Sequence, residues 1–258
     1  MCDERFSRVS VLVGDEMLAR FSNAHVCIVG YGAVGSFAAE ALARSGVGFF
    51  RLVDGDVYAV HHINRQLGSD EHTLGMSKVL VAKSHLCAIH PGITVECVDA
   101  VVDASNVSVV DAPFADGRQP DVVVDAIDTI DAKIELIVHC VRAGIPVISS
   151  MGAARKTKPS EVCFADISET EICPLAREVR KRLRAFGVTQ GVGCVYSREP
   201  AQKETHRSLQ SHNGSLKIAR PVLGSLITVT GTFGLRVASE CLNLIAAGKD
   251  ERDNFVKA

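Results

Sequence analysis

HVCIVGYGAVG, residues His25 to Gly35, is an apolar run that ends in three closely spaced glycines. SFAAEALARSGVG (36–48) follows, and then a second apolar run, Phe49–Val53, closes on Asp54. A strand, a glycine turn, a helix and a strand ending in an acid make a nucleotide-binding βαβ unit. Gly30 is expected to allow the tight turn, Gly32 to let backbone approach a phosphate, and Gly35 to let helix pack on strand. The helix N-terminus adds unpaired N–H groups and a partial positive charge for an anion. Val34, Phe37, Ala38, Ala41 and Leu42 recur at helical spacing, which predicts a helix over Ala33–Arg44, ended by Gly46 and Gly48.

The rest of the chain extends this unit. Helices are predicted over Ser77–Ile89, Ile130–Ala143, Pro174–Phe186 and Ser225–Ala247, and strands over Ile93–Val98, Asp121–Ala126, Ile145–Ser149, Glu161–Asp166 and Gly193–Ser197. Asp103–Pro120 reads as irregular, and Ala201–Lys217, rich in Ser, Gln and His, as a mobile loop. Alternating strands and helices imply an α/β fold with a mostly parallel sheet covered on both faces. A coarse division falls at Ser150, between a nucleotide-binding portion (1–150) and a substrate and dimerisation portion (151–258) within one continuous sheet.

Composition limits the function classes. A formal charge of −2 gives no global attraction to nucleic acid, so any such binding needs a local patch. Candidates are the basic helix with Arg177, Arg180, Lys181, Arg182 and Arg184, together with Arg155, Lys156 and Lys158. The nine cysteines include no CxxC pair, which argues against a structural zinc site and suits a reduced, cytoplasmic chain. Met-Cys-Asp-Glu-Arg at the start has no signal pattern, and the uncharged stretch Pro221–Leu235 falls short of the roughly twenty residues that span a bilayer.

The chemistry-bearing residues cluster beyond the glycine loop. Asp56–Gly75 is a long polar connection carrying His61, His62, Asn64, Arg65 and Gln66. Lys78 opens the next helix, and Asp125-Ala126-Ile127-Asp128 ends the third strand with Lys133 beyond it. Ligands of open α/β sheets bind at strand carboxyl ends, where Asp54, Arg65 and Asp128 can converge. An acid for a ribose, cations for phosphates and an acid for Mg²⁺ suit nucleoside-triphosphate chemistry. A nicotinamide-dependent oxidoreductase or a non-catalytic nucleotide-binding module would leave Arg65, Lys78 and Asp128 unexplained.

Gly30-x-Gly32-x-x-Gly35, Asp54-x-Asp56, Asn64-Arg65-Gln66, Gly75-x-x-Lys78 and Asp125-x-x-Asp128 resemble the E1-like, ThiF/MoeB adenylating superfamily. With SFAAEALARSGVG (36–48), ISSMGAARKTKP (148–159) and ADIS (165–168), the chain is similar to the branch of tRNA threonylcarbamoyladenosine dehydratases. The resemblance implies a Rossmann-like homodimer that uses ATP and Mg²⁺. Its substrate would be N6-threonylcarbamoyladenosine at position 37 of tRNA, cyclised through an acyl-adenylate.

It also implies roles. Gly30, Gly32 and Gly35 would carry the nucleotide, Asp54 would bond the ribose, and Arg65 and Lys78 would hold the triphosphate. Asp128 would hold Mg²⁺, and Asn64 and Gln66 would shape the pocket. Arg65, Lys78 and Asp128 are the expected catalytic residues. Arg8 matches a position whose arginine reaches into the partner protomer's site. The superfamily often reads Asn-x-Asn-Arg-Gln, and here His62 stands at the first Asn. The alternative is an activator of a ubiquitin-like or sulfur-carrier protein, with Cys173 where ubiquitin-type enzymes carry a thioester cysteine; a sulfur-transfer partner belongs to the same range of expectations.

Overall fold

The computed structural model describes residues 3–202 and 223–247. Two short helices, α1 (Ser7–Val13) and α2 (Asp15–Ser22), precede β1 (His25–Val29), α3 (Gly35–Arg44) and β2 (Phe49–Val53). They have no counterpart among the elements read from the sequence. Next come α4 (Lys78–Ile89), β3 (Thr94–Val98), β4 (Val122–Asp125), α5 (Ile130–Ala143) and β5 (Val147–Ser150). The chain continues through β6 (Val162–Asp166), α6 (Pro174–Arg184), β7 (Gly193–Ser197) and α7 (Ile227–Ala247). Every predicted strand and helix is present, with ends shifted by a few residues. Past Gln202, the polar loop expected over Ala201–Lys217 lies outside the described residues.

The strands form one sheet in the order β3-β2-β1-β4-β5-β7-β6, parallel except for β6 against β7. Strands from both sides of Ser150 therefore share the sheet, since β5 pairs with β7. All five residues of β1 are buried, as a strand covered on both faces requires. One face packs Ala38, Leu42, Val79, Leu86, Phe233 and Val237 from α3, α4 and α7. The other packs Ile134, Ile137, Val179 and Leu183 from α5 and α6. Each of the Val, Leu, Ile and Phe side chains contributes about 1.5–3 kcal/mol of burial.

Close approach of α7 to α3 depends on glycine. A Cβ at Gly234 would stand 2.5 Å from the Val34 carbonyl oxygen and 2.6 Å from Phe37 Cβ. The uncharged Pro221–Leu235 stretch thus ends, within its described part, in a helix that buries Val229 and Phe233 in the core. No helix among the described residues is long and apolar enough to cross a membrane.

The strand order reverses between β1 and β4. Val29 stands level with Val53 on one side and Asp125 on the other, so three strand ends open together into a crevice at this switch point.

Candidate nucleotide-binding site

The glycine loop occupies that crevice, and its glycines answer to different constraints. Gly30 has φ +92°, and a Cβ there would meet the Ala126 carbonyl oxygen at 2.7 Å. A Cβ at Gly35 would lie 1.9 Å from the Gly30 carbonyl oxygen, so helix and strand meet only because it is absent. At Gly32 the nearest atom to such a Cβ is the Gln66 amide nitrogen, 3.9 Å away. The protein itself does not need Gly32; the space beside it is open.

On the β2 side, Asp54 faces the loop. Its Oδ2 accepts the Tyr31 N–H at 2.6 Å and its Oδ1 accepts the Asp56 N–H at 2.9 Å. Each oxygen keeps a further lone pair for a ligand. Burial raises the Asp54 pKa, opposed by the nearby Lys78 ammonium and the two N–H bonds. Lys78 is buried at the start of α4, with Nζ 2.9 Å from Asp56 Oδ2 and 3.8 Å from Asp54 Oδ1. Its neighbours at this helix end are therefore carboxylates, which offset the unfavourable placement of a cation at a helix N-terminus.

The Asp56–Gly75 connection returns to the glycine loop. The Leu67 N–H donates to Ser36 Oγ in the first turn of α3 at 3.3 Å. Gln66 is buried beside Gly32, and its Oε1 has no hydrogen-bond partner among the described residues. Arg65 turns back on its own loop, donating to the His61 carbonyl at 2.6 Å and to Asn64 Oδ1 at 2.8 Å. Asn64 donates to the Ser225 carbonyl at 3.4 Å, next to the start of α7. His62 Nδ1 accepts the Ala59 N–H at 3.1 Å, which leaves its ring proton on Nε2. Burial, followed by Lys78, His61 and Arg65, lowers its pKa to about 4.

On the β4 side, Asp125 is fully buried and Lys133 Nζ donates to its Oδ2 at 2.6 Å. The Ser149 hydroxyl donates to the same oxygen at 2.5 Å. Asp128 is exposed, and its carboxylate accepts from the Thr129 hydroxyl at 3.4 Å, its one side-chain hydrogen bond among the described residues. Thr129, not Asp128, precedes α5 as the capping position, so Asp128 does not serve as the helix cap.

Gly30, Gly32, Gly35, Asp54, Gln66 and Lys78 thus gather at one crevice, with Asn64 and Arg65 on its loop and Asp128 just past the opposite strand end. Arg8 does not join them. It is exposed on α1, whose neighbour Phe6 packs on His90 at the far end of α4. Cys173 is buried, and its Sγ lies 3.6 Å from where a Gly152 Cβ would sit. Lys156 is withdrawn from the surface and donates its ammonium to the Glu199 carbonyl. Asp56 as the partner of Lys78, and Ser149 as a partner of Lys133, are missed by sequence reasoning. Asp56 stands in the Asp54-x-Asp56 motif, but the motif gives no partner.

An open, mostly parallel sheet with a glycine loop and a helix N-terminus at its switch point defines a nucleotide-binding α/β protein. The ThiF family model matches residues 6–257. The tRNA threonylcarbamoyladenosine dehydratase of Bacillus subtilis is 43% identical over 195 residues, covering 76% of this chain and 75% of that protein. The Escherichia coli protein of the same name is 34% identical over 257 residues, covering 95% and 94%. The crystal structure of the E. coli dehydratase TcdA in complex with ATP superposes with a TM-score of 0.82 at 33% identity, over 95% of this chain and 94% of that one. The chain belongs to the ThiF family, alongside its tRNA threonylcarbamoyladenosine dehydratases.

Proposed function

We propose that this protein is an ATP-dependent tRNA threonylcarbamoyladenosine dehydratase. The observation that carries the reading is the open space at Gly32, flanked by the unpartnered Gln66 oxygen and the buried Lys78. A phosphate seated there meets the N-terminus of α3 and a cation together. Asp54 uses its remaining lone pairs for the ribose. Arg65 unfolds from its own loop onto the triphosphate, and Lys78 exchanges the exposed Asp56 for phosphate oxygens. Asn64 and Gln66 shape the pocket.

Asp128 suits Mg²⁺, which binds through one or two carboxylates plus substrate phosphates rather than a full protein cage. Among the described residues no group of three or more His, Cys, Asp or Glu side chains could form such a cage. The ion would neutralise charge on the phosphates.

The threonyl carboxylate of the modified nucleoside attacks the α-phosphorus. A bond forms between carboxylate oxygen and phosphorus, and the bond to pyrophosphate breaks. A nitrogen or oxygen of the same modification then attacks the acyl carbon, AMP leaves and the ring closes, a net loss of water. Arg65 and Lys78 stabilise charge on the pentavalent phosphorus, and positioning supplies most of the remainder. No enzyme nucleophile is needed, consistent with a buried Cys173. That burial also disfavours the protein-activating alternative, which needs a reachable thiol if it forms a thioester.

The working unit is proposed to be a homodimer in the cytoplasm. Arg8 is too remote to serve its own crevice, and the neighbouring Val11 and Leu12 are 87% and 83% exposed, an apolar surface suited to a second copy. The deciding experiment is AMP release from ATP–Mg²⁺ with threonylcarbamoylated tRNA, against unmodified tRNA. AMP that depends on the modification, with loss of water from the nucleoside by mass, is expected. Absence of AMP with either tRNA would overturn the reading and direct the search to a ubiquitin-like or sulfur-transfer partner.

A further inference from the structure

Helix α6 carries five cations, and the structure divides them. Arg180 donates to the Ile167 carbonyl at 3.0 Å and the Thr170 carbonyl at 2.8 Å, so it serves the turn before the helix. Arg182 bonds Glu178 at 2.8 Å and also pairs with Asp131 of α5. Arg177, Lys181 and Arg184 are exposed, and their side chains make no hydrogen bond or ion pair among the described residues. Their spacing of four and then three residues places them on one line along the helix. The rise of about 1.5 Å per residue spreads them over about 10 Å. Ala176, Val179 and Leu183 take the buried side. Phe186, 45% exposed, stands just past the end of the line.

The line starts beside the nucleotide crevice. Cys173 and Leu175 pack at Gly152, two residues past the carboxyl end of β5. The Arg182–Asp131 pair holds the last turn of α6 to the first turn of α5, three residues beyond Asp128. Resting on the dehydratase reading, we infer that Arg177, Lys181 and Arg184 form the surface that tracks the phosphates of the tRNA's anticodon arm, with Phe186 as a platform for an unpaired base. On a chain of net charge −2, a local line of unpaired cations is what phosphate tracking requires. Two of the three are arginines, whose planar fork matches phosphate. An exposed aromatic at the end of such a line suits an unstacked base of a loop. Arg180 and Arg182 are positioning residues for the helix and do not touch the RNA.

The test is binding of threonylcarbamoylated tRNA across a KCl series by the triple variant Arg177→Gln/Lys181→Gln/Arg184→Gln. The variant should bind about tenfold or more weakly at low salt. Its slope of log affinity against log salt should be shallower by roughly 2, at about 0.7–0.9 per lost phosphate contact. ATP affinity and thermal midpoint should stay at wild-type values, because the three side chains are solvent-exposed and outside the crevice. Phe186→Ala should weaken binding without changing the slope. Wild-type affinity and slope in the triple variant would overturn the inference. Unchanged tRNA binding with lost polyglutamate binding would overturn it in favour of an acidic protein. If wild-type enzyme dehydrates the modified tRNA and the triple variant does so with unchanged KM, this inference alone fails. If wild-type enzyme does not act on that tRNA, the dehydratase reading fails first.

Discussion

Two buried lysines flank the glycine loop, one on each side, and they are satisfied very differently. Lys133 has no exposed surface and three acceptors for its three protons: Asp125 Oδ2 at 2.6 Å, the Ser150 carbonyl at 3.0 Å and Ser149 Oγ at 3.3 Å. Lys78 is almost as buried, yet among the described residues the one hydrogen bond of its ammonium goes to Asp56, whose side chain is 64% exposed. Asp54 Oδ1, at 3.8 Å, lies beyond direct hydrogen bonding. A fully satisfied ammonium holds strand ends together. A buried ammonium with donors to spare, against a carboxylate that water can take over, is poised for a ligand. Burial alone does not separate the two; the count of acceptors does.

The largest expected effect breaks the satisfied side. Lys133→Met leaves Asp125 buried and uncompensated, which should destabilise the fold by about 3–5 kcal/mol. Lys133→Met/Asp125→Asn should recover much of that loss, because both charges then go together. Urea unfolding of the pair measures this directly. A single variant as stable as the wild type would mean that Lys133 is not the structural lysine.

Lys78→Ala should show the reverse profile. Stability should fall by only about 1–2 kcal/mol, since Asp56 is already in water. AMP formation should fall on the order of 10²-fold or more, the scale for removing one preorganised charge-stabilising donor. A stopped-time AMP assay beside a thermal melt separates these outcomes. Normal turnover in a folded variant would remove Lys78 from the site.

Much of this asymmetry was hidden in the sequence, for a physical reason. Periodicity reports which face of an element is buried, so the βαβ unit, the mostly parallel sheet and the residues at each strand end were legible. The glycine spacing located the turn at the crevice, and Asp54-x-Asp56 with Lys78 picked out side chains that meet there. Which acceptor a lysine finds depends on side chains that meet across the fold, such as Ser149 from β5 and Asp56 across a long polar loop. No spacing rule encodes those meetings. Helices α1 and α2 were missed because they are short, of seven and eight residues, and α1 buries no side chain. Lys156 looked like a surface cation, but its ammonium ends on the Glu199 carbonyl. That contact lies 43 residues away in the chain.

The glycine loop between the lysines should sharpen the contrast. Gly35→Ala forces a Cβ to 1.9 Å from the Gly30 carbonyl oxygen, so strand and helix must separate and the thermal midpoint should drop sharply. Gly32→Ala meets nothing nearer than 3.9 Å, so the apo fold should melt at the wild-type temperature. Its ATP affinity, by calorimetry, should nevertheless weaken about tenfold, because the methyl fills the space proposed for phosphate. Equal ATP affinity would show that the nucleotide does not pass Gly32.

The smallest expected effect lies on the Lys78 side. His62 is held neutral near that lysine, with a folded pKa of about 4 against about 6.5 when exposed. Between those values the unfolded chain binds more protons than the folded one, so this residue withdraws stability as pH falls from about 6.5 to about 4. Above pH 6.5 it contributes no pH dependence. His62→Asn keeps a hydrogen-bonding side chain and removes the titration. The difference in thermal midpoint between variant and wild type should therefore move in the variant's favour as pH is lowered through that window. Saturating ATP should shrink the part of the shift that comes from Lys78 and Arg65, because the triphosphate offsets their charge, and leave the larger part due to burial. A gap that is flat with pH would mean that neither burial nor the cations beside it hold the His62 ring neutral in the folded protein.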